Sequence, residues 1–180
     1  PMRSSAASDV YKRQINNSTM DNNPAPGNKR GGLTTILEKS LGAVAKGGKS
    51  ILEDVLEYAE PLKNKGFNFM DSPGYDPVSV TGQVASGANV ICFTTGRGSC
   101  FGCKPVPSLK LSTNTAMYEK MEEDMDINCG TIAEGKEDIE KVGNRIFDLV
   151  VNTASGNKSK SEINGYGDEE FNPWQVGVVM

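Results

Sequence analysis

The 180-residue chain contains no histidine, and this absence excludes several kinds of site. A His general base, a Ser-His-Asp triad and a His-ligated metal centre cannot be built from this chain alone. Long apolar runs are missing as well, since no stretch approaches the roughly 20 apolar residues that span a bilayer. We therefore expect no membrane segment, and chemistry that relies on Lys, Arg, carboxylates, Cys or hydroxyls.

An excess of positive charge is also lacking. The chain has 19 basic and 23 acidic side chains and a net charge of −4, so its surface as a whole does not attract phosphate backbones. No basic patch compensates, which predicts no nucleic-acid partner. No secretory signal is recognisable, so we expect a cytoplasmic protein with reduced thiols.

Residues 1–14 differ from the rest of the chain in having no apolar periodicity. Within them, residues 9–14 (DVYKRQ) resemble one reading frame of a transposon-end adapter used for sequencing libraries. We therefore interpret residues 1–14 as an artefactual or disordered tail and expect the natural protein to continue upstream of Ile15. The prediction of the fold concerns residues 15–180.

Alternating helix and strand patterns predict an α/β fold with a mostly parallel sheet flanked by helices, in Rossmann-like layers with long Gly- and Pro-rich loops. Thr34 or Thr35 is placed to cap one helix, and Ser50 to cap a second short helix that ends before Pro61. Residues 89–95 (NVICFTT) predict a central strand covered on both faces. Further strands are predicted at 67–70 and 108–112, and helices at 77–86, 114–121 and 136–152.

Two glycine-rich loops are candidate anion sites. Residues 22–32 are dense in Pro, Gly and Asn, which predicts a loop, and they precede a helix N-terminus whose unpaired N–H groups attract anions. Lys29 adds positive charge to that loop. Residues 96–102 follow the predicted central strand, at the end where open α/β sheets bind ligands, and Arg97 could hold a carboxylate in bidentate fashion. Either loop could instead only connect elements.

The cysteines and an acidic run have simpler structural interpretations. Cys100 and Cys103 form a C-x-x-C, but a four-ligand metal site would also need Cys92, which lies inside a predicted buried strand and is better explained as a core residue. Residues 119–126 are strongly acidic but lack the glycine hinge of a calcium loop, which favours a solvated helix end.

In their order along the chain, several motifs resemble those of the altronate and galactarate dehydratases. Residues 23–42 read NPAPGNKRGGLTTILEKSLG, and the later segments are MDSPG, FTTGRG, KLSTNT and DMDINCG, which begin at positions 70, 93, 110 and 124. The resemblance covers residues 15–180. Members of that family are considerably longer and carry further parts upstream, so the resemblance implies a C-terminal domain.

The resemblance also implies an activity. The family's enzymes are metal-dependent hydro-lyases that remove water from a sugar acid to give a 2-keto-3-deoxy acid. For this chain it implies a divalent iron or manganese ion bound mainly by upstream segments, and a homo-oligomer at full length. The missing histidine is then explained, and the fragment alone is expected to be inactive.

Dehydration beside a carboxylate needs a base, positive charge for the enediolate and an acid for the departing hydroxyl. We assign Lys29 or Lys39 as base or charge stabiliser, and Glu38 as acid or metal ligand. The competing interpretation of Glu38 and Lys39 is helix capping and solvation. For the candidate asparagines Asn28, Asn114 and Asn128 it is turn formation. The candidate substrate-binding residues, of which the threonines and the arginine would hold the carboxylate, are Asn28, Thr94, Thr95, Arg97, Asn114 and Asn128.

Two other functions stay open. A sulfolactate sulfo-lyase subunit belongs to the same family and eliminates sulfite instead of water. The second alternative is a non-catalytic anion- or nucleotide-binding α/β module.

Overall fold

The computed structural model describes residues 14, 15, 17 and 24–175, so the interpreted tail lies outside the described residues except for Gln14. The chain divides into two compact units. Unit 1 comprises the chain up to Gly82 together with the end from Pro173, and unit 2 comprises residues 83–172. The α/β prediction is confirmed, because helices alternate with strands and every described strand pair is parallel. The described strands form two sheets, one of two strands and one of three.

Unit 1 contains a two-stranded sheet and its helices. Thr35 caps the helix α2 as predicted, because its hydroxyl accepts the backbone N–H of Glu38 at 3.2 Å. The helix ends at Gly47, also as predicted. The elements are α1 (Pro26–Arg30), α2 (Ile36–Lys46), β1 (Leu52–Leu56), β2 (Phe67–Met70) and α3 (Asp76–Ala85), the last of which crosses the boundary between the units.

Two predictions for unit 1 are wrong. Residues 22–32 were expected to be a loop, but α1 forms within them, since Pro26 at the first helical position has no N–H to leave unsatisfied. The helix expected after Ser50 is the strand β1 instead. Its apolar spacing, with Leu52, Val55 and Leu56, fits both periods, and parallel pairing with β2 supplies the ladder hydrogen bonds that decide between them.

An aromatic contact anchors the end of the chain within unit 1. The rings of Trp174 and Tyr58 meet edge to face, with centroids 5.5 Å apart. The Tyr58 hydroxyl donates to the carbonyl oxygen of Val78 at 2.8 Å, and burial raises the pKa of Tyr58. Trp174 thus packs within unit 1, whereas the side chain of Phe171 is exposed.

Unit 2 is built on a three-stranded parallel sheet in the order β3–β4–β5. The central strand is β4, which is buried along its whole length, and β3 lies at an edge with about half of its residues covered. The prediction that residues 89–95 form the central strand is therefore wrong, and Cys92 is exposed rather than a core residue. Polar residues alternate with leucines in β4, and this pattern is typical of a half-exposed strand, so the sequence did not indicate that β4 is central. The strands are β3 (Ile91–Thr95), β4 (Ser108–Ser112) and β5 (Ile127–Asn128).

Four helices complete unit 2, and the predicted helices at 77–86 and 114–121 are confirmed to within two residues. The longest helix, α6, begins after the predicted residue 136 because the side chain of Asp138 caps it, accepting the N–H of Lys141 at 2.7 Å. Val142 of this helix is buried, whereas Ile139 and Phe147 are exposed. None of the helices in the described residues is long and apolar enough to cross a membrane. The helices are α4 (Thr115–Lys120), α5 (Gly130–Ala133), α6 (Ile139–Ala154) and α7 (Lys160–Ile163).

Candidate functional site

The carboxyl ends of the three strands meet at one edge of the unit 2 sheet, here called the strand-end edge. Because the strands are parallel, the segments that follow β3, β4 and β5 all leave the sheet there. This is the edge at which open α/β sheets bind ligands. Four of the predicted substrate-binding residues are at the strand-end edge: Thr95, Arg97, Asn114 and Asn128.

Asn114 joins the segments that follow β3 and β4. Its Nδ2 donates to the carbonyl oxygen of Gly96 at 2.8 Å, and its Oδ1 accepts the N–H of Met117 at 2.8 Å, which caps α4. Its own carbonyl oxygen accepts the hydroxyl of Ser112 at 2.7 Å. Both ends of the Asn114 amide are therefore engaged in holding the strand-end edge together.

Asn128 has a similar place at the end of β5. Its Oδ1 accepts the N–H of Gly130 at 2.8 Å, and its Nδ2 donates to the hydroxyl of Thr115 at 3.1 Å. Both asparagines therefore form the local backbone contacts that the competing interpretation, turn formation, predicts. Direct contact of Asn114 or Asn128 with a substrate stays a prediction.

The segment after β3 presents a cation. The Thr95 hydroxyl accepts the N–H groups of Arg97 and Gly98 at 3.3 and 3.1 Å, which folds the backbone into a turn. The Arg97 side chain is exposed, and its guanidinium has no hydrogen bond or ion pair with another described residue. Such a group is available to bind a carboxylate with two parallel hydrogen bonds. Thr94 is exposed on the face of β3 opposite to Thr95, since side chains alternate along a strand.

The other predicted site residues belong to unit 1. Asn28 and the exposed Lys29 lie on α1, and Glu38 and the half-buried Lys39 lie on α2. The Glu38 carboxylate accepts the hydroxyl and the N–H of Thr34 at 2.6 and 2.8 Å, and these bonds hold its pKa below the ordinary value. The ionised form is thereby favoured, which suits a metal ligand better than a general acid.

The described residues do not fit an iron or manganese centre. Among them, no three His, Cys, Asp or Glu side chains form a group that could hold a metal ion. The four cysteines are unpaired, and burial raises the pKa of the Cys103 thiol. In the acidic run, the Asp126 carboxylate accepts the N–H groups of Lys110 and Lys160 at 2.7 and 3.0 Å. These two hydrogen bonds engage both carboxylate oxygens of Asp126 with the backbone.

Sequence reasoning missed one unusual residue, Lys110 in the middle of β4. Its side chain is fully buried, and its Nζ contacts the hydroxyl of Ser161 on α7. Burial lowers the pKa of Lys110. The sequence carried a signal, because a lysine flanked by Leu109 and Leu111 in a predicted strand is unusual, but no role followed from it.

Known proteins resemble most of this chain. Residues 4–179 match the family described as D-galactarate/Altronate dehydratase, C-terminal, and the match includes residues 4–14 of the interpreted tail. The galactarate dehydratase (L-threo-forming) of Escherichia coli K12 is 46% identical over 136 residues, which are 76% of this chain and 26% of that protein. The altronate dehydratase of Bacillus subtilis 168 is 40% identical over 158 residues, 88% of this chain and 31% of the relative.

A further relative carries a different name. The (2R)-sulfolactate sulfo-lyase subunit beta of Chromohalobacter salexigens is 33% identical over 147 residues, which are 81% of this chain and 38% of that protein. The chain therefore spans between about a quarter and two fifths of the length of these curated relatives. Because the family match extends over nearly every residue, the chain belongs to the D-galactarate/altronate dehydratase family and corresponds to its C-terminal domain.

Proposed function

We propose that this chain is the C-terminal, substrate-binding part of a cytoplasmic hydro-lyase that dehydrates a sugar acid of the galactarate or altronate type to a 2-keto-3-deoxy acid. The observation that carries the proposal is the exposed Arg97 guanidinium at the strand-end edge, on a segment that Asn114 holds. A sugar acid presents a carboxylate that such a guanidinium binds. The names of the dehydratase relatives support the reaction type.

The proposed reaction divides the work among the predicted site residues. Arg97 binds the carboxylate, and whichever of Lys29 and Lys39 is not the base stabilises the negative charge that grows when the α-proton leaves. Lys29 or Lys39 takes that proton, and the β-hydroxyl leaves as water after receiving a proton from an acid. The resulting enol tautomerises to the 2-keto acid.

The proposal extends to the full-length protein. As the family resemblance implies, that protein would bind divalent iron or manganese mainly through upstream segments. When bound, the metal would supply Lewis acidity for the departing hydroxyl. We further propose that the full-length protein is a homo-oligomer that acts on a small molecule and binds neither nucleic acid nor a membrane.

The test of the reaction is a substrate profile of the full-length protein that carries this chain. The purified protein, loaded in turn with ferrous iron and manganese, would be incubated with galactarate, altronate and sulfolactate. We expect a 2-keto acid to form from at least one of the sugar acids, measured by its carbonyl derivative. Absence of a 2-keto acid with both metals would overturn the proposal.

A second candidate is sulfite elimination, which the likeness to the sulfo-lyase subunit favours. Sulfolactate also carries a carboxylate beside the carbon that loses a proton, so the strand-end edge would bind it in the same way. The higher identities of the two dehydratases place this candidate second. Sulfite release from sulfolactate, without dehydration of either sugar acid, would support it.

A further inference from the structure

The Lys110 amine lies in an environment that is costly for a lysine. Its side chain has no exposed surface, and its Nζ contacts the Ser161 hydroxyl, the Phe101 carbonyl oxygen at 3.5 Å and the Tyr166 ring, whose centroid is 5.8 Å away. In the described part of the chain, no carboxylate forms an ion pair with it. A buried cation without an ion pair loses its hydration and regains little in exchange.

The contacts of the Lys110 amine connect two segments that are far apart in sequence. Phe101 belongs to the segment that follows β3, whereas Ser161 and Tyr166 belong to α7 and the turn after it. A hydrogen bond also joins the two parts of the chain, since the Glu170 carboxylate accepts the N–H of Gly102 at 2.7 Å. A Cβ at Gly102 would lie 2.8 Å from the Tyr166 backbone, so this junction requires glycine.

Two residues, Gly96 and Phe101, are held in place by contacts on either side of Arg97. On one side, Gly96 is held by the Asn114 amide. On the other, the buried Phe101 ring packs against Phe93 with centroids 5.8 Å apart, and its carbonyl oxygen faces the Lys110 amine. Residues 97–100 lie between these two residues, so the order of this short segment depends on both of them.

We propose that Lys110 is a positioning residue for Arg97: its buried amine links Phe101 to α7 and thereby fixes residues 97–100 at the strand-end edge. This inference rests on the proposed function of Arg97 as the carboxylate-binding group. A donor in a dry environment is worth more than an exposed one, because no water replaces it when it is lost. The lowered pKa of Lys110 agrees with this, since an uncharged amine still donates to a carbonyl oxygen.

Lys104 provides a matched control. Its ammonium pairs with Asp168 at 2.6 Å and so joins the same two segments, but both side chains are largely exposed, 60% and 67%. An exposed ion pair of this kind contributes little to stability. Lys104→Met therefore removes a lysine between the same segments without touching the buried contacts.

The experiment compares Lys110→Met and Lys104→Met in the full-length protein. Lys110→Met is expected to accelerate amide hydrogen exchange of residues 97–100 by about tenfold, with α6 unchanged. In the same variant, the KM for the sugar acid should rise by about tenfold while kcat stays within about twofold, because binding is lost rather than chemistry. Lys104→Met should change neither. Unchanged exchange of residues 97–100 in Lys110→Met, or an equal acceleration throughout unit 2, would overturn the proposal.

The exchange readout separates this inference from the proposed function. If the wild-type protein dehydrates no sugar acid, the proposed function fails, while the exchange of residues 97–100 still decides whether Lys110 orders them. If Lys110→Met does not fold, Ser161→Ala removes one partner of the amine with a smaller change. It should accelerate exchange of residues 97–100 by about threefold, and wild-type exchange in this variant would contradict the proposal.

Discussion

The side-chain amide of Asn114 donates to the carbonyl oxygen of Gly96 at 2.8 Å while its oxygen caps α4. One side chain thus fixes both the segment that presents Arg97 and the helix that follows the central strand. The two functions of this amide can be separated, because one uses its donor and the other its acceptor.

Replacing Asn114 by Asp should remove the donor and keep the helix cap. We expect unit 2 to lose about 1 kcal/mol of unfolding free energy, since the Gly96 carbonyl oxygen would face a carboxylate. Asn114→Ala should lose about 2 kcal/mol because the cap is lost as well. Amide hydrogen exchange under native conditions measures the unfolding free energy of unit 2. The single tryptophan, Trp174, reports on unit 1 instead. Equal stability of Asn114→Asp and the wild type would contradict the role of the Gly96 contact.

Gly130 lies where the end of β5 passes the start of α4. A Cβ there would lie 2.6 Å from the Asn114 Cα and even closer to the Thr115 nitrogen, both of them backbone atoms. Gly130→Ala should therefore destabilise unit 2 by about 1–3 kcal/mol. Gly143→Ala is the control, because a Cβ at this exposed position of α6 meets nothing within 4 Å. It should stabilise the protein by about 0.5–1 kcal/mol. Urea unfolding checks both, and a Gly130→Ala variant as stable as Gly143→Ala would refute the close approach.

The buried Lys110 should make stability depend on alkaline pH. Burial lowers its pKa, more than the nearby Asp126, Asp124, Cys100 and Glu170 raise it. Between this lowered pKa and the ordinary value near 10.5, the unfolded chain therefore binds more protons than the folded one. Stability contributed by this group consequently rises as pH increases through that window and is lowest below it.

Lys110→Met removes that dependence. Urea unfolding of unit 2 at a series of pH values between neutrality and the ordinary lysine pKa should give a shallower rise in unfolding free energy for the variant than for the wild type. The difference between the two curves isolates Lys110, because every other titratable group is present in both proteins. Parallel curves would mean that the amine keeps its ordinary pKa in the folded state.

The sequence was sufficient for features that depend on local chemistry. The Thr35 cap, the glycine end of α2 and the strand at 67–70 follow from residue type and spacing, and all are present. Long-range pairing decided the rest. Leu52–Leu56 became a strand because β2 lies beside it, and β4 is central although Ser108, Lys110 and Ser112 make its pattern look like that of an edge.

The candidate site could likewise be predicted only in part. Arg97 and Asn114 each follow a strand that was predicted, and parallel strands end at one edge, whereas the strand that ends at Asn128 was not predicted. The burial of Lys110 could not be predicted, because it depends on α7 and the turn after it, some fifty residues further along the chain.

The most direct test of the account is the kinetic effect of Arg97→Ala in the full-length protein on dehydration of its sugar acid. Lys158→Ala is the control, since Lys158 is also an exposed cation of unit 2 but follows the C-terminal end of α6 rather than a strand. We predict that kcat/KM falls at least about tenfold in Arg97→Ala and stays at the wild-type value in Lys158→Ala. A kcat/KM for Arg97→Ala equal to that of the wild type would contradict carboxylate binding at the strand-end edge.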